Sequence, residues 1–200
     1  MKISKRNIIA ALLKPLLFLI PPKKGPVVLT FHNVHQKDYD WFENFIRNLV
    51  KDYEFLDPSN LDKEIHEGDV QTKILLTFDD GFFSNRVLAE EILSKYGIKA
   101  IFFITEDFIG LQDEEINPFV QKHFYLSSST PPKDKVLSKP MSWIDINWLK
   151  ENGHKIGAHT KTHPKLSKLK DEDTLIEEII TSANRIEENT GVKINCFAFP

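Results

Sequence analysis

Cysteine is nearly missing: the 200 residues contain one, Cys196. A lone thiol excludes an intrachain disulfide framework and a zinc site built from cysteines. An excess of charge of one sign is also missing. The 26 basic and 29 acidic side chains leave a formal net charge of −3, so nothing marks nucleic acid as a partner. No run of 18 uncharged apolar residues occurs, which argues against an ordinary spanning helix. What remains is globular usage, 41% hydrophobic and 28% charged, which excludes wholesale disorder. A chain of this length has room for one domain with its own core.

The first residues support two readings. Lys2, Lys5 and Arg6 precede an apolar stretch from Ile8 to Ile20 that is interrupted by Lys14 and Pro15. A basic start before apolar residues suggests a signal peptide, but no small-x-small cleavage site follows. Ile8, Ile9, Leu12, Leu13, Leu16, Leu17 and Ile20 recur at helical spacing instead. Such an amphipathic helix either lies on a membrane surface, through residues 1–22, or packs on its own domain. Residues 1–26 are therefore expected to be an amphipathic or membrane-associating segment.

From residue 27 strand-like and helix-like stretches alternate. Val27–Phe31, Tyr53–Leu56, Lys73–Phe78, Lys99–Ile104, Lys155–Gly157 and Ile194–Phe199 read as strands. Helices are expected over Asp40–Lys51, Asn60–His66, Ser84–Tyr96 and Asp173–Asn189. A further one opens at Ser142, where Asp145 completes capping-box spacing. Between Asp107 and Met141 the pattern breaks down, so an irregular insertion is expected there. Alternation of this kind implies parallel strands joined by right-handed crossovers, in an open α/β sheet or a barrel. Reactive groups then belong at the C-terminal ends of the strands.

Two clusters fall at such ends. Thr77-Phe78-Asp79-Asp80-Gly81 sets two carboxylates side by side after an apolar strand. Neighbouring carboxylates repel unless a cation intervenes. One as metal ligand beside the other as general base resolves that conflict, and a capped helix N-terminus is the plainer alternative. The second cluster is Gly157-Ala158-His159-Thr160-Lys161-Thr162-His163-Pro164. Its two imidazoles can converge on one ion, and Pro164 biases His163 away from helical geometry, so a loop clasp is expected. Solvated loop histidines are the competing reading. One Asp and two His leave coordination positions open, as in a catalytic metal centre. Zinc there lowers the pKa of bound water to about 7, and metal-assisted hydrolysis of an amide or ester follows naturally. A mononuclear iron oxygenase would use similar ligands. A glycosidase pair suits adjacent carboxylates poorly, because such pairs stand roughly 5 Å or more apart.

These motifs resemble those of the polysaccharide deacetylase family, carbohydrate esterase family four, with its NodB-like domain. Thr77–Gly81 is similar to the family's first motif and His159–Pro164 to its second. Met141-Ser142-Trp143, Gly153–Gly157, Ile186–Gly191 and Phe197-Ala198-Phe199-Pro200 add supporting text in the same order. The resemblance spans most of residues 27–200. It implies an α/β fold, a distorted parallel (β/α) barrel of the deacetylase type with its C-terminal part missing. It also implies hydrolytic removal of acetyl groups from an N-acetylated glycan by attack of metal-bound water.

Carried over by position, Asp79 would be the catalytic base, and Asp80, His159 and His163 the ligands of one divalent metal. Zinc is the default ion, with cobalt or nickel possible. His32 and Pro200 are expected at the substrate pocket, with a hydrogen-bonded structural histidine the competing reading for His32. Ala198 stands where family members often carry Arg, and the motifs that would supply a leaving-group acid histidine are not among these residues. A catalytically incomplete glycan-binding or scaffold protein is therefore the alternative function. A glycan substrate and an N-terminal helix together favour the cell envelope or a membrane-associated location.

Overall fold

Strand β3 (Lys73–Phe78) is buried from Ile74 onward on both of its faces, which is where a parallel α/β sheet keeps its centre. The computed structural model describes residues 26–61, 63, 73–124 and 139–200. Around β3 lie β1 (Val27–Phe31), β2 (Glu54–Phe55), β4 (Ala100–Ile104) and β5 (Lys155–Ala158). Every pairing is parallel, in the order β1-β3-β4-β5, with β2 also on β3. Ile74 pairs with both Val27 and Phe55, so β1 runs along one edge of β3. The other edge takes β2 at its start and β4 from Leu76 onward. This is the α/β class expected from the alternation of elements.

Period-two alternation sorts the strand side chains into two layers. Ile74, Leu76, Phe78, Ala100, Phe102 and Ile104 join the larger core under the helices. Leu75, Ile101 and Phe103 face the other way and pack with Leu56, Cys196 and Ala198. Phe78 stacks between Phe31 and Phe102, with centroids 5.7 and 5.0 Å away. Aromatic contacts of this kind tie three adjacent strands together.

Helix α1 (Tyr39–Asp52) buries Phe42 and Ile46, while Trp41 and Val50 of its expected apolar stripe stay exposed. Helix α2 (Phe83–Glu91) passes into a 3-10 turn over Leu93–Tyr96. That turn closes at Gly97, whose φ of 64° is left-handed backbone that glycine adopts without penalty. Helix α4 (Trp143–Glu151) carries the expected capping box: Asp145 N–H donates to Ser142 Oγ, and Ser142 N–H to Asp145 Oδ2 at 2.8 Å. Arg86 of α2 lays its guanidinium 3.4 Å over the Trp148 ring of α4, joining the two helices. The last helical stretch consists of α5 (Glu172–Ile176), a π-helical turn (Glu177–Thr181) and α6 (Ser182–Thr190).

Three expectations differ from what is observed. Within the stretch read as irregular, Asp113–His123 form helix α3, although Pro118 lies inside it. Pro118 removes one N–H donor, but Ile116 and Val120 bury against Phe82 and Phe108 and hold the helix in place. The segment read as a strand at 194–199 makes only an isolated parallel bridge, Ala158 with Phe197. The span read as one helix over 173–189 is continuous but carries the π turn. The N-terminal segment and most of the short helix expected from Asn60 lie outside the described residues. Among those described, no helix is long and apolar enough to cross a membrane.

Candidate metal centre

The C-terminal ends of β1, β3, β4 and β5 meet at one place, as the parallel arrangement requires. Asp79 continues the sheet for one residue, its N–H donating to Phe31 O at 2.9 Å. Alternation alone would then send Asp79 and Asp80 to opposite faces. The chain breaks that rule with two consecutive left-handed residues, Asp80 at φ 76° and Gly81 at φ 100°. The expected turn therefore begins at Asp80 itself rather than at Gly81. Left-handed backbone is disfavoured for any side chain but least so for Asp, Asn and Gly. The same reversal seats Asp80 O on the N–H of Thr105 and Gly81 O on that of Met141.

After β5, His159 N–H donates to Ile104 O at 2.9 Å, placing this residue against the end of β4. The chain then turns through Thr160 at φ 68° and His163 at φ 60°. Thr160 Oγ1 accepts the His163 N–H at 3.0 Å, closing the turn. The loop clasp expected from Pro164 is observed.

Asp80 Oδ1 lies 3.7 Å from His159 Nε2 and 3.6 Å from His163 Nε2. Those separations are too long for hydrogen bonds. They suit ligands of a shared ion: two atoms each about 2.1 Å from a tetrahedral centre stand about 3.4 Å apart. Ligand atoms of all three residues fall within 4.8 Å of one another. Asp80 Oδ1 and His159 Nε2 are buried with no hydrogen-bond partner, as is Asp79 Oδ1 alongside. Buried polar atoms seldom stay unpaired, and Asp80 Oδ1 and His159 Nε2, facing each other across 3.7 Å with His163 Nε2 beside them, leave a place for a cation.

Main-chain oxygens aim both rings. His159 Nδ1 sits 3.0 Å from Ala198 O, and His163 Nδ1 sits 3.2 Å from His123 O at the end of α3. A carbonyl can only accept, so each Nδ1 carries the hydrogen and each Nε2 turns a lone pair toward Asp80. Phe124 packs edge-on against His163 at 5.1 Å.

Electrostatics point the same way. Burial, then the Asp79 charge, pushes the Asp80 carboxyl up to about 8. Asp79 is also raised by burial, with His32 opposing. Burial holds His159 down to about 4, against the pull of Ala198 O, and lowers His163 as well. Two carboxylates and two neutral imidazoles with no positive charge among them form a site short of a cation. Asp80, His159 and His163 could hold a divalent metal, and Asp79 lies next to them.

His32, at the end of β1, places Nε2 3.8 Å from Asp79 Oδ2 with its side chain 60% exposed. The ring therefore stands at the rim of the site and not in the core. Pro200 is exposed two residues beyond Ala198. Sequence reasoning missed the two carbonyls and one side chain, Glu178, which is buried beneath the 159–163 turn. Main-chain acceptors leave no mark in the residue types, and Glu178 lies 15 positions after His163 in a stretch that reads as ordinary helix.

Residues 66–200, more than half of the chain, match the sequence profile of the family described as Polysaccharide deacetylase. The chain belongs to that family. Similar solved structures agree on the fold. The Streptococcus pyogenes deacetylase PplD, solved in complex with acetate, is 19% identical at a TM-score of 0.65, covering 90% of this chain and 75% of its own. IcaB from Ammonifex degensii is 22% identical at a TM-score of 0.67, covering 89% and 75%. A de-N-acetylase from Aggregatibacter actinomycetemcomitans is 13% identical at a TM-score of 0.63, covering 88% and 79%. A comparison with curated proteins gave no match.

Proposed function

We propose that this protein removes N-acetyl groups from a glycan by hydrolysis, using one divalent metal, zinc by preference, held by Asp80, His159 and His163. The observation that carries this reading is the convergence of Asp80, His159 and His163, with Asp80 Oδ1 and His159 Nε2 buried and unpartnered. A bound ion supplies Lewis acidity, which polarises an acyl oxygen and makes water a nucleophile at neutral pH. Asp79 is the proton acceptor: its Oδ1 is unpartnered, and its neighbour Asp80 is committed to the metal. Burial keeps His159 and His163 neutral, while the carbonyls of Ala198 and His123 hold the Nδ1 hydrogens and leave each Nε2 as the ligand atom. His32, exposed at the rim and 3.8 Å from Asp79, belongs in this reading to the substrate pocket. The glycan would approach over this rim.

The test is acetate release from N-acetylated oligosaccharides by metal-reconstituted protein. Asp79→Asn is expected to reduce turnover by at least 10²-fold while zinc content stays near one per chain. His159→Ala and His163→Ala are expected to lose the zinc itself. Loss of metal from Asp79→Asn would refute the division of labour between the two carboxylates. A second reading, a glycan-binding protein without turnover, is favoured by Ala198 standing where the family resemblance implies an Arg. Oligosaccharide binding without acetate release by fully loaded protein would establish it.

A further inference from the structure

Glu178 is 7% exposed and lies in the π-helical turn between α5 and α6. Its carboxylate ends against the turn that carries the two histidines. Oε2 accepts the N–H groups of Lys161 at 3.0 Å and Thr162 at 2.8 Å, and Oε1 accepts the Thr162 hydroxyl at 2.6 Å. The Glu178 main-chain oxygen takes the Lys161 N–H as well, at 3.0 Å. Two successive amides converging on one carboxylate oxygen form an anion-holding nest.

The turn needs such a support. Thr160 is β-branched and left-handed, and His163 is left-handed too, conformations that persist only where the surroundings over-determine them. From the sheet side the turn is held at its oxygens: Thr160 O accepts Glu106 N–H and Lys161 O accepts Asp107 N–H. From the helix side Glu178 alone takes the amides of Lys161 and Thr162. A π turn inserts one residue into the helical count and so changes the direction in which the following side chains leave the helix. Adjacent positions thereby serve different partners: Glu177 meets Lys161 Nζ at 2.6 Å, whereas Glu178 is buried beneath the main chain.

We propose that Glu178 is a positioning residue of the metal centre, its carboxylate holding the Thr160–His163 turn in the one shape that aims His163 and His159 together at Asp80. It touches neither ion nor substrate. The proposal rests on the metal-site reading above, and its test separates the two.

Wild-type protein, Glu178→Ala, Glu178→Gln and Glu178→Asp are titrated with zinc against a chelating dye. Each is then loaded with cobalt for its visible ligand-field spectrum, and unfolding of the metal-free forms is followed in parallel. Glu178→Ala is expected to weaken zinc binding about 10- to 100-fold, the range for supports of metal ligands, and to alter the cobalt spectrum. Glu178→Gln keeps an oxygen for both amides and is expected to recover most of the affinity and the wild-type spectrum. Glu178→Asp withdraws the carboxylate by one methylene while keeping its charge, and it is expected to behave like Ala. It serves in place of Glu178→Ala should that variant not fold. Folded Ala or Asp variants with wild-type zinc affinity and an unchanged cobalt spectrum would overturn the proposal, even if their metal-free stability fell. Wild-type protein that takes up neither ion would defeat the metal-site reading, and this inference with it.

Discussion

Gly157 is where the absence of a side chain has a defined physical cost. A Cβ built there would lie 2.5 Å from Phe103 Cδ1, 2.6 Å from Phe103 Cε1 and 2.9 Å from Cys196 Sγ. Spare room beside the second motif is legible in the sequence, but its occupant is not. A phenyl ring from β4 and the lone thiol fill it, both belonging to the smaller core layer with Leu75 and Ile101. Gly157→Ala is therefore expected to destabilise the protein by roughly 1–3 kcal/mol, the usual cost of overpacking. Denaturant unfolding should show this as a lower midpoint with an unchanged slope. At Asp80, by contrast, the cost is already present in the native chain. Its left-handed backbone and raised carboxyl pKa are local penalties, the second of which a dication would relieve.

Among the elements, α4 shows the closest agreement between pattern and structure. The Ser142–Asp145 box is visible as letters and exists as hydrogen bonds, including Ser142 Oγ to Asp145 Oδ2 at 2.6 Å. Ser142→Ala is expected to cost about 1 kcal/mol of unfolding free energy. The double variant with Asp145→Ala should cost less than the two singles added, because each residue completes the other's bonds. Helix α3 is the opposite case: Pro118 lies inside it, yet Glu115 caps the Gln112 N–H at 2.9 Å and acidic residues fill its first turn, signals that the proline obscures in the sequence. The 194–199 segment failed as a strand for another reason. Its β propensity is adequate, but only Phe197 bridges to Ala158, and Ala198 O is given to His159. Between α5 and α6 the helical letters run on without a break, so the π turn has no signature in the sequence.

For the whole molecule, what was legible follows from how each feature is encoded. Buried parallel strands read as continuous apolar runs, and their C-terminal ends locate the site. Asp79, Asp80, His159 and His163 were legible because they are side chains in two short motifs at strand ends. Contacts made through main-chain oxygens, and a carboxylate reaching across 15 residues, required the fold.

Stability of the whole carries a pH dependence of its own through His154. This residue is buried, accepts the Ala100 N–H at Nδ1 and stands edge-on to Phe102 at 5.3 Å. Burial, then Lys99 and Arg86, pushes its pKa down to about 4, against 6.5 unperturbed. Above 6.5 both folded and unfolded chains hold it neutral, and its contribution is complete. As the pH falls from 6.5 toward 4 the unfolded chain binds a proton that the folded chain refuses, so stability falls, by on the order of 3 kcal/mol in full. Denaturation midpoints across that window should drop for wild type, and the wild-type curve minus that of His154→Asn should isolate the histidine's share.

Both imidazoles are steered by peptide carbonyls, at His123 and Ala198, and a carbonyl is common to all twenty amino acids. The aim of the two rings is thus decoupled from the chemical character of the residues that supply it. Either side chain can be exchanged without redirecting the imidazoles, provided the path of the chain is kept.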